Sequence, residues 1–301
     1  MKDLYRGFLR RIISPKLLVR IRDLSHIDDR LRDIEARRAG LAQALLRQQH
    51  PGLFVGVSHD FPEFSVFSQN GEDGVLLSLI EQTGPHSKTF VEIGIEDAHE
   101  CNTAILAFVL GWDGLMLEAD PMAMDGARRL AARLLARKPN HLDIGQAFVT
   151  VENVNGLIEK AGFRDEIGVL SIDVDGVDYW IWKAITAISP RIVVIEYNAS
   201  FGAKRAVTVP YQPDFRYRRG SFYHGASLAA LERLGILKRY VLVAVESAGV
   251  NAFFVRKDIC PPQLAGKTAA QLYLPHRERS KTSSPDDQWA VVQHLPLETV
   301  D

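Results

Sequence analysis

Residues 168–185 read GVLSIDVDGVDYWIWKAI, an apolar run that ends on three aspartates, Asp173, Asp175 and Asp178, and passes directly into an aromatic, apolar segment. A strand buried on both faces of a sheet needs a nearly unbroken apolar run, and GVLSIDV supplies one. The segment VDYWIWKAI then reads as a helix, with Asp178 at its start. An aspartate there accepts free backbone N–H groups and sits at the positive end of the helix dipole. That accounts for Asp178 and leaves Asp173 and Asp175 as candidates for chemistry at the end of a buried strand.

On either side the same alternation repeats. TFVEIGI, GLMLEAD, AFVTV and RIVVIEYN read as strands, and CNTAILAFVLGW, PMAMDGARRLAARLLARK (opened by Pro121) and NVNGLIEKAG read as helices. Strands that alternate with helices build a mostly parallel sheet. After SLAALERLG, the strands YVLVAVE and NAFFVRK are separated only by SAGV, too short for a crossover. They form a hairpin, so one of them runs antiparallel to the sheet. The predicted fold is a doubly wound α/β domain whose mostly parallel seven-stranded sheet ends in an antiparallel hairpin. The tryptophans Trp112, Trp180 and Trp182 read as core.

In such a sheet the ligand lies at the carboxyl ends of the strands. Polar residues collect there: Glu92 and Gly94, Glu118 and Asp120, Glu152 and Asn153, Asp173 and Asp175, Glu196 and Asn198. Clustered carboxylates repel one another unless a ligand or cation uses them.

The chain has 301 residues, 47% hydrophobic and 24% charged, with a net charge of -1. It is long enough for one large domain with an appendage, and its charge gives no pull toward nucleic acid. Cys101 and Cys260 form no CxxC or Cys/His cluster, which argues against a disulfide framework or a zinc site and for a cytoplasmic protein. Residues 1–50 form the appendage. Basic residues alternate with apolar ones from Met1 to Arg22, and Leu24, Ile27, Leu31, Ile34, Leu41 and Leu45 follow helical spacing. This predicts a basic amphipathic helical arm that self-associates or rests peripherally on the inner membrane face. The main domain takes residues 51–301. Within it, a lid loop spans about 198–225 and a C-terminal extension about 260–301, where RERSKTSSPDD reads as a surface loop.

The stretches FSQNGEDGVLLSLI, FVEIGIEDAHECNTAIL, GWDGLMLEADP, LSIDVDGVDYWIW and VVIEYN together resemble the FkbM-like S-adenosylmethionine-dependent methyltransferases, over residues 64–258 or so. The resemblance implies a class I methyltransferase fold and S-adenosyl-L-methionine as cofactor. It also implies roles by position: Glu92 and Gly94 at the cofactor's amino-acid end, Glu118 on the ribose hydroxyls, Glu152 or Asn153 at the adenine edge, and Asp173 beside the transferable methyl. The chain departs from the family at Glu96, which stands where a small residue is usual.

Methyl transfer to a hydroxyl needs a base or a metal. Asp173, Asp175, Glu196 and Asn198 offer hard oxygen ligands for Mg2+, and His224, in the loop before a late helix, is a candidate catalytic base alongside Asp173. In the lid, Tyr211, Phe215, Tyr217, Phe222 and Tyr223 suit stacking on an acceptor, and the SQNGEDG segment adds Gln69, Glu72 and Asp73 as pocket candidates. The expected activity is O-methylation of a hydroxylated glycan, glycolipid or secondary metabolite, a small-molecule or glycan acceptor with no nucleic-acid partner. The competing expectation is a non-catalytic scaffold subunit that kept the fold. A metal-dependent hydroxylase or hydrolase lacks the two-His-one-carboxylate set it would need.

Overall fold

In the computed structural model, residues 61–84, 87–135 and 140–301 are described. The predicted helical arm, residues 1–50, lies outside them.

Among the described residues, helix α1 (Glu72–Thr83) precedes an alternating series. The strands of the series are β1 (Thr89–Ile93), β2 (Asp113–Glu118), β3 (Leu142–Gln146), β4 (Asp165–Ile172) and β5 (Ile188–Glu196). The helices between them are α2 (Ala104–Phe108), α3 (Pro121–Leu134), α4 (Val154–Lys160) and α5 (Asp178–Ala184). The chain then forms the short β6 (Val207–Thr208), α6 (Leu228–Leu237) and the hairpin β7 (Tyr240–Val245) and β8 (Asn251–Arg256). The extension carries α7 (Ala269–Leu272), α8 (Pro285–Val292) and β9 (Glu298–Thr299).

The seven-stranded sheet has the order β3-β2-β1-β4-β5-β8-β7. Its first five strands pair in parallel, β8 pairs antiparallel with β5, and β7 closes the hairpin against β8. This is the class I methyltransferase arrangement that the sequence predicted. Neighbouring residues of the central strands point to opposite faces, so the apolar runs feed two cores. Val91, Leu170 and Val193 pack on one face with Trp182 and Leu231, while Phe90, Val169 and Val194 pack on the other with Leu76 and Leu106. Trp112 and Trp182 are buried, and the half-buried Trp180 donates from Nε1 to the Val209 carbonyl at 2.8 Å.

One strand lies elsewhere than predicted. AFVTV is not β3; the strand is the preceding LDIGQ. As an edge strand it pairs only with β2, so it needs no continuous apolar run, and the apolar residues Ala147, Phe148 and Val149 instead line a cleft.

The tightest point in the sheet is the exit of β1. Gly94 N–H donates to the Leu117 carbonyl and Asp173 N–H to the Ile93 carbonyl, each at 2.9 Å, so β1 is stitched to both neighbours beyond its last residue. A Cβ on Gly94 would fall 1.5 Å from the Asp173 carbonyl oxygen, and φ there is +84°. Gly94→Ala is therefore expected to cost about 3 kcal/mol or more in denaturant unfolding. Gly111→Ala, at φ +69° with no atom within 4 Å of the added Cβ, should cost about 1 kcal/mol. Equal losses in the two variants would mean that backbone strain, and not the close crossing, is what Gly94 answers.

Candidate functional site

A cleft of about 810 Å³ opens at the carboxyl ends of β1, β2, β4 and β5. Its walls come from the loop after β1 (Gly94 to Asp97), the start of α3, the Ala147–Val149 segment, the loop after β4 (Asp173 to Val177) and Glu196 at the end of β5. Carboxylates far outnumber the two arginines that line it, Arg129 and Arg279.

Glu118 ends β2 inside this cleft. Its carboxylate accepts from the backbone N–H of Glu96 and from that of Asp120, each at 2.8 Å. Both oxygens are thereby oriented, and each keeps a lone pair for a ligand. Asp120 in turn caps α3, accepting from the N–H groups of Met122 and Ala123 ahead of Pro121 at the first helical position. Glu96 adopts φ 47° and lines the cleft. Its carboxyl is raised above the ordinary range, first by lost solvent and then by Asp175, Glu100, Asp97 and Glu118.

Glu92 lies in a small pocket that adjoins the cleft through Gln69, Gly94, Glu100 and Asp173. It is buried and accepts from the N–H groups of Asn102 and Thr103 and from the Thr103 hydroxyl, tying β1 to the start of α2. It does not line the large cleft. Glu152 and Asn153 also lie off its walls. The Tyr211 hydroxyl donates to Glu152 at 2.6 Å, and the Asn153 amide closes a local turn with Thr150 N–H and the Phe148 carbonyl. The wall at this level is Phe148 and Val149. The cause is the register of β3, which ends earlier than the sequence suggested.

At the inner end the structure brings Asp173, Asp175, Glu196 and His224 together. Asp178 is not a simple helix-start charge. It is fully buried, and its two oxygens accept from the N–H groups of Val174 (2.8 Å) and Gly176 (2.9 Å), which fixes the loop that carries Asp173 and Asp175. Burial pushes its carboxyl up to about 6. Asp175 takes φ 53° on this loop and faces the cleft. Asp173 and Glu196 are both held well above the ordinary carboxyl range, by loss of solvent and then by neighbouring carboxylates.

Two predicted roles do not survive this geometry. Asn198 is not available as a metal ligand. Its amide nitrogen donates to the Phe222 and His224 carbonyls, each at 2.8 Å, and its oxygen accepts from Ser200 N–H, so the side chain straps down the lid. His224 is fully buried and does not line the cleft. Burial, followed by Arg279 and His276, pushes its pKa down to about 3, so the imidazole is neutral. Its Nε2 meets Arg279 at 3.1 Å, which occupies the lone pair a base would use.

The residues that sequence reading missed are Arg279 and His276, both in the cleft wall and both from the C-terminal extension. A charged stretch such as RERSKTSSPDD reads as solvent-facing because nothing local records that it folds back over the sheet. Phe148 was missed through the β3 shift. Of the lid aromatics, Phe215 lines the cleft against Gly176, and Arg216 stacks over the Phe148 ring at 3.7 Å. The lid is held by the extension: β6 pairs with β9, and the Ser200 hydroxyl donates to Gln288 at 2.7 Å. Of the SQNGEDG candidates only Gln69 reaches the cleft; Glu72 and Asp73 are buried behind it.

No protein-family model matches the chain, and no curated protein matches it. Among solved structures it is similar to an O-methyltransferase from Bacillus cereus in complex with SAH, at 14% identity and TM-score 0.39, over 72% of this chain and 89% of the other. It is also similar to the magnesium protoporphyrin IX methyltransferase of Synechocystis PCC 6803 with bound SAH, at 10% identity and TM-score 0.41, over 62% and 81%. A third is the spermidine synthase of Thermotoga maritima, at 15% identity and TM-score 0.34, over 67% and 70%. At these identities and scores the likeness says nothing of the chemistry, which is read from the cleft itself. No helix among the described residues is long and apolar enough to cross a membrane.

Behind the cleft, Glu246 accepts from the N–H groups of Gly249, Val250 and Asn251 and so shapes the turn that carries the lining residue Val250. Burial raises its carboxyl from 4.5 to about 7. The folded state thus holds this proton more tightly than the unfolded chain does. The stability it adds is complete below about pH 4.5 and is lost as pH rises through 7. Asp73, raised to about 6, acts in the same sense. Unfolding free energy should fall across this window, with Glu246 accounting for on the order of 3 kcal/mol. Glu246→Gln should flatten the profile, and an unchanged slope in that variant would show that Glu246 is not the titrating group.

Proposed function

We propose that the cleft binds S-adenosylmethionine and that the protein transfers its methyl group to a hydroxyl of a small-molecule or glycan acceptor. The observation that carries this reading is Glu118. Its carboxylate stands at the end of β2, is oriented by two backbone N–H groups, and faces the cleft with lone pairs to spare, as recognition of a ribose diol requires. The charge of the cleft supports the same ligand. A wall dominated by carboxylates attracts a sulfonium and an ammonium group, and it repels the pyrophosphate of a dinucleotide. Gly94 lines the cleft at the point where the loops after β1 and β4 part. Phe148 and Val149 offer an apolar wall for adenine.

The sulfonium is already activated, so the protein's work is alignment and proton removal. The acceptor oxygen attacks the methyl carbon, the carbon–sulfur bond breaks with its electron pair going to sulfur, and the hydroxyl proton leaves to a carboxylate. Asp173 is the proton acceptor in this reading, because its carboxylate lines the cleft at the end of β4. Phe215 and the lid around it form the side where the acceptor enters.

Calorimetric titration with S-adenosylmethionine tests the cofactor directly. Wild type should bind saturably, and Glu118→Ala should bind about 10 to 100 times more weakly, the equivalent of one or two charge-assisted hydrogen bonds. No binding by wild type removes the methyltransferase reading, whereas equal binding by the folded variant removes only the assignment of Glu118. Asp173→Asn should retain cofactor binding and lose turnover of methyl-labelled cofactor, at least about a hundredfold.

A further inference from the structure

The geometry points to a binding site for a phosphoryl group at the amino ends of β5 and β7, the far end of the sheet from the cleft. A second hollow, of about 690 Å³, lies there between the last turn of α5, the start of β5, the turn from α6 into β7 and the end of β8. Among the described residues that line it, four are cations, Lys238, Arg239, Arg256 and Lys257, and one is an acid, Asp258. The buried apolar residues Trp182, Ile185 and Ile188 belong to the same wall.

The one acid is already engaged. Arg256 holds Asp258 through Nε to Oδ1 at 2.7 Å and Nη2 to Oδ2 at 3.1 Å, and it also reaches Glu166 at 2.7 Å. Three cations remain. Lys238 Nζ donates to the Ile185 carbonyl at 2.8 Å and to the Lys183 carbonyl at 3.4 Å, neutral acceptors that leave its third proton for a ligand. Burial lowers the proton affinity of this ammonium, a cost that an anion in the hollow would offset. Among the described residues no ion pair joins Arg239 or Lys257 to an acid, whereas Arg256 has two.

The second observation is the backbone at Arg239. It follows the last turn of α6 at φ 67°, the left-handed conformation that helix ends ordinarily give to glycine. Its carbonyl accepts from Lys257 N–H at 2.8 Å, which keeps the two cationic residues adjacent. The chain thus places an arginine where glycine would be the more stable choice, and strain of this kind collects where a side chain serves a ligand. Three cations around one hollow suit the several oxygens of a phosphoryl group better than a single carboxylate. Ile236 and Leu237, immediately before Lys238, are 65% and 70% exposed. An apolar pair beside cations fits a phospholipid, whose acyl chains lie next to its phosphate, whereas a soluble phosphate ester would use the cations alone. Neither source depends on the methyl transfer proposed above.

The test is calorimetric titration of the full chain with inorganic phosphate and with dihexanoyl phosphatidic acid below its micelle concentration. Phosphate should bind with a Kd of about 1 mM or tighter, at least about tenfold more weakly in Arg239→Gly and in Lys257→Ala, and unchanged in Lys160→Ala at the exposed end of α4. Arg239→Gly should also raise the melting temperature by about 2 °C, a gain that misfolding cannot produce. With a lipid headgroup as the source, the phosphatidic acid should bind at least about tenfold more tightly than phosphate, and joint Ile236→Ser and Leu237→Ser substitution should erase that advantage. Equal affinities for the two probes support the site with a soluble phosphate ester as its ligand. No saturable phosphate binding, or equal affinity in wild type, Arg239→Gly and Lys257→Ala, overturns the site.

Discussion

The chain after β1 and the chain after β4 leave the sheet in contact. Gly94 lies so close to the Asp173 carbonyl that no side chain fits between them, and each exit is hydrogen-bonded to a neighbouring strand. This crossing sets the position of almost everything that follows. The loop after β1 is turned toward β2, which carries Glu96 N–H to the Glu118 carboxylate. The loop after β4 is turned away, toward Glu196 and the lid, with Asp178 holding its two N–H groups from beneath. One missing Cβ thus separates the two halves of the cleft, the half along β2 with Glu118 and the carboxylate cluster along β5.

The second organising feature is how the fold distributes hydrogen-bond donors among its acids. Burying a carboxylate is costly unless backbone or side-chain donors replace the lost water. At this end of the sheet the donors come from loops and helix starts: Asn102 and Thr103 for Glu92, the 249–251 turn for Glu246, and the 66–68 segment for Asp73. These acids tie loops to strands and keep the rim of the cleft rigid. Arg279, from a segment more than eighty residues further along the chain, lowers the proton affinity of Asp175 and Glu196. The C-terminal extension is therefore part of the site as well as the clasp on the lid.

Much of this was legible from the residues. The two-sided apolar runs of β1, β4 and β5 and the short SAGV link between β7 and β8 specify a mostly parallel sheet with one reversed strand, because only that arrangement buries both faces and joins the hairpin. The strand ends Glu118, Asp173, Asp175 and Glu196 were found by the same logic, and all four face the cleft. Glu92, Glu152, Asn153 and Asn198 were selected on equal grounds and do not face it. An acid or amide at a strand end can turn inward to tie a loop or outward to meet a ligand, and the choice depends on which backbone N–H groups lie within reach. Edge strand β3 was misplaced because apolar content cannot separate a strand from a pocket wall.

By itself the sequence determined the alternation of strands and helices, the reversed strand in the closing hairpin and the end of the sheet at which polar groups gather, since periodicity and strand-end chemistry are local properties. Tertiary structure alone decided which acids are spent on backbone donors and which are left free. It also turned His224 into a neutral, buried imidazole and brought Arg279 from a polar surface-like stretch to the carboxylate cluster. Those outcomes depend on contacts between segments far apart in the chain, and the solvation and partners of a side chain are set by what is folded around it.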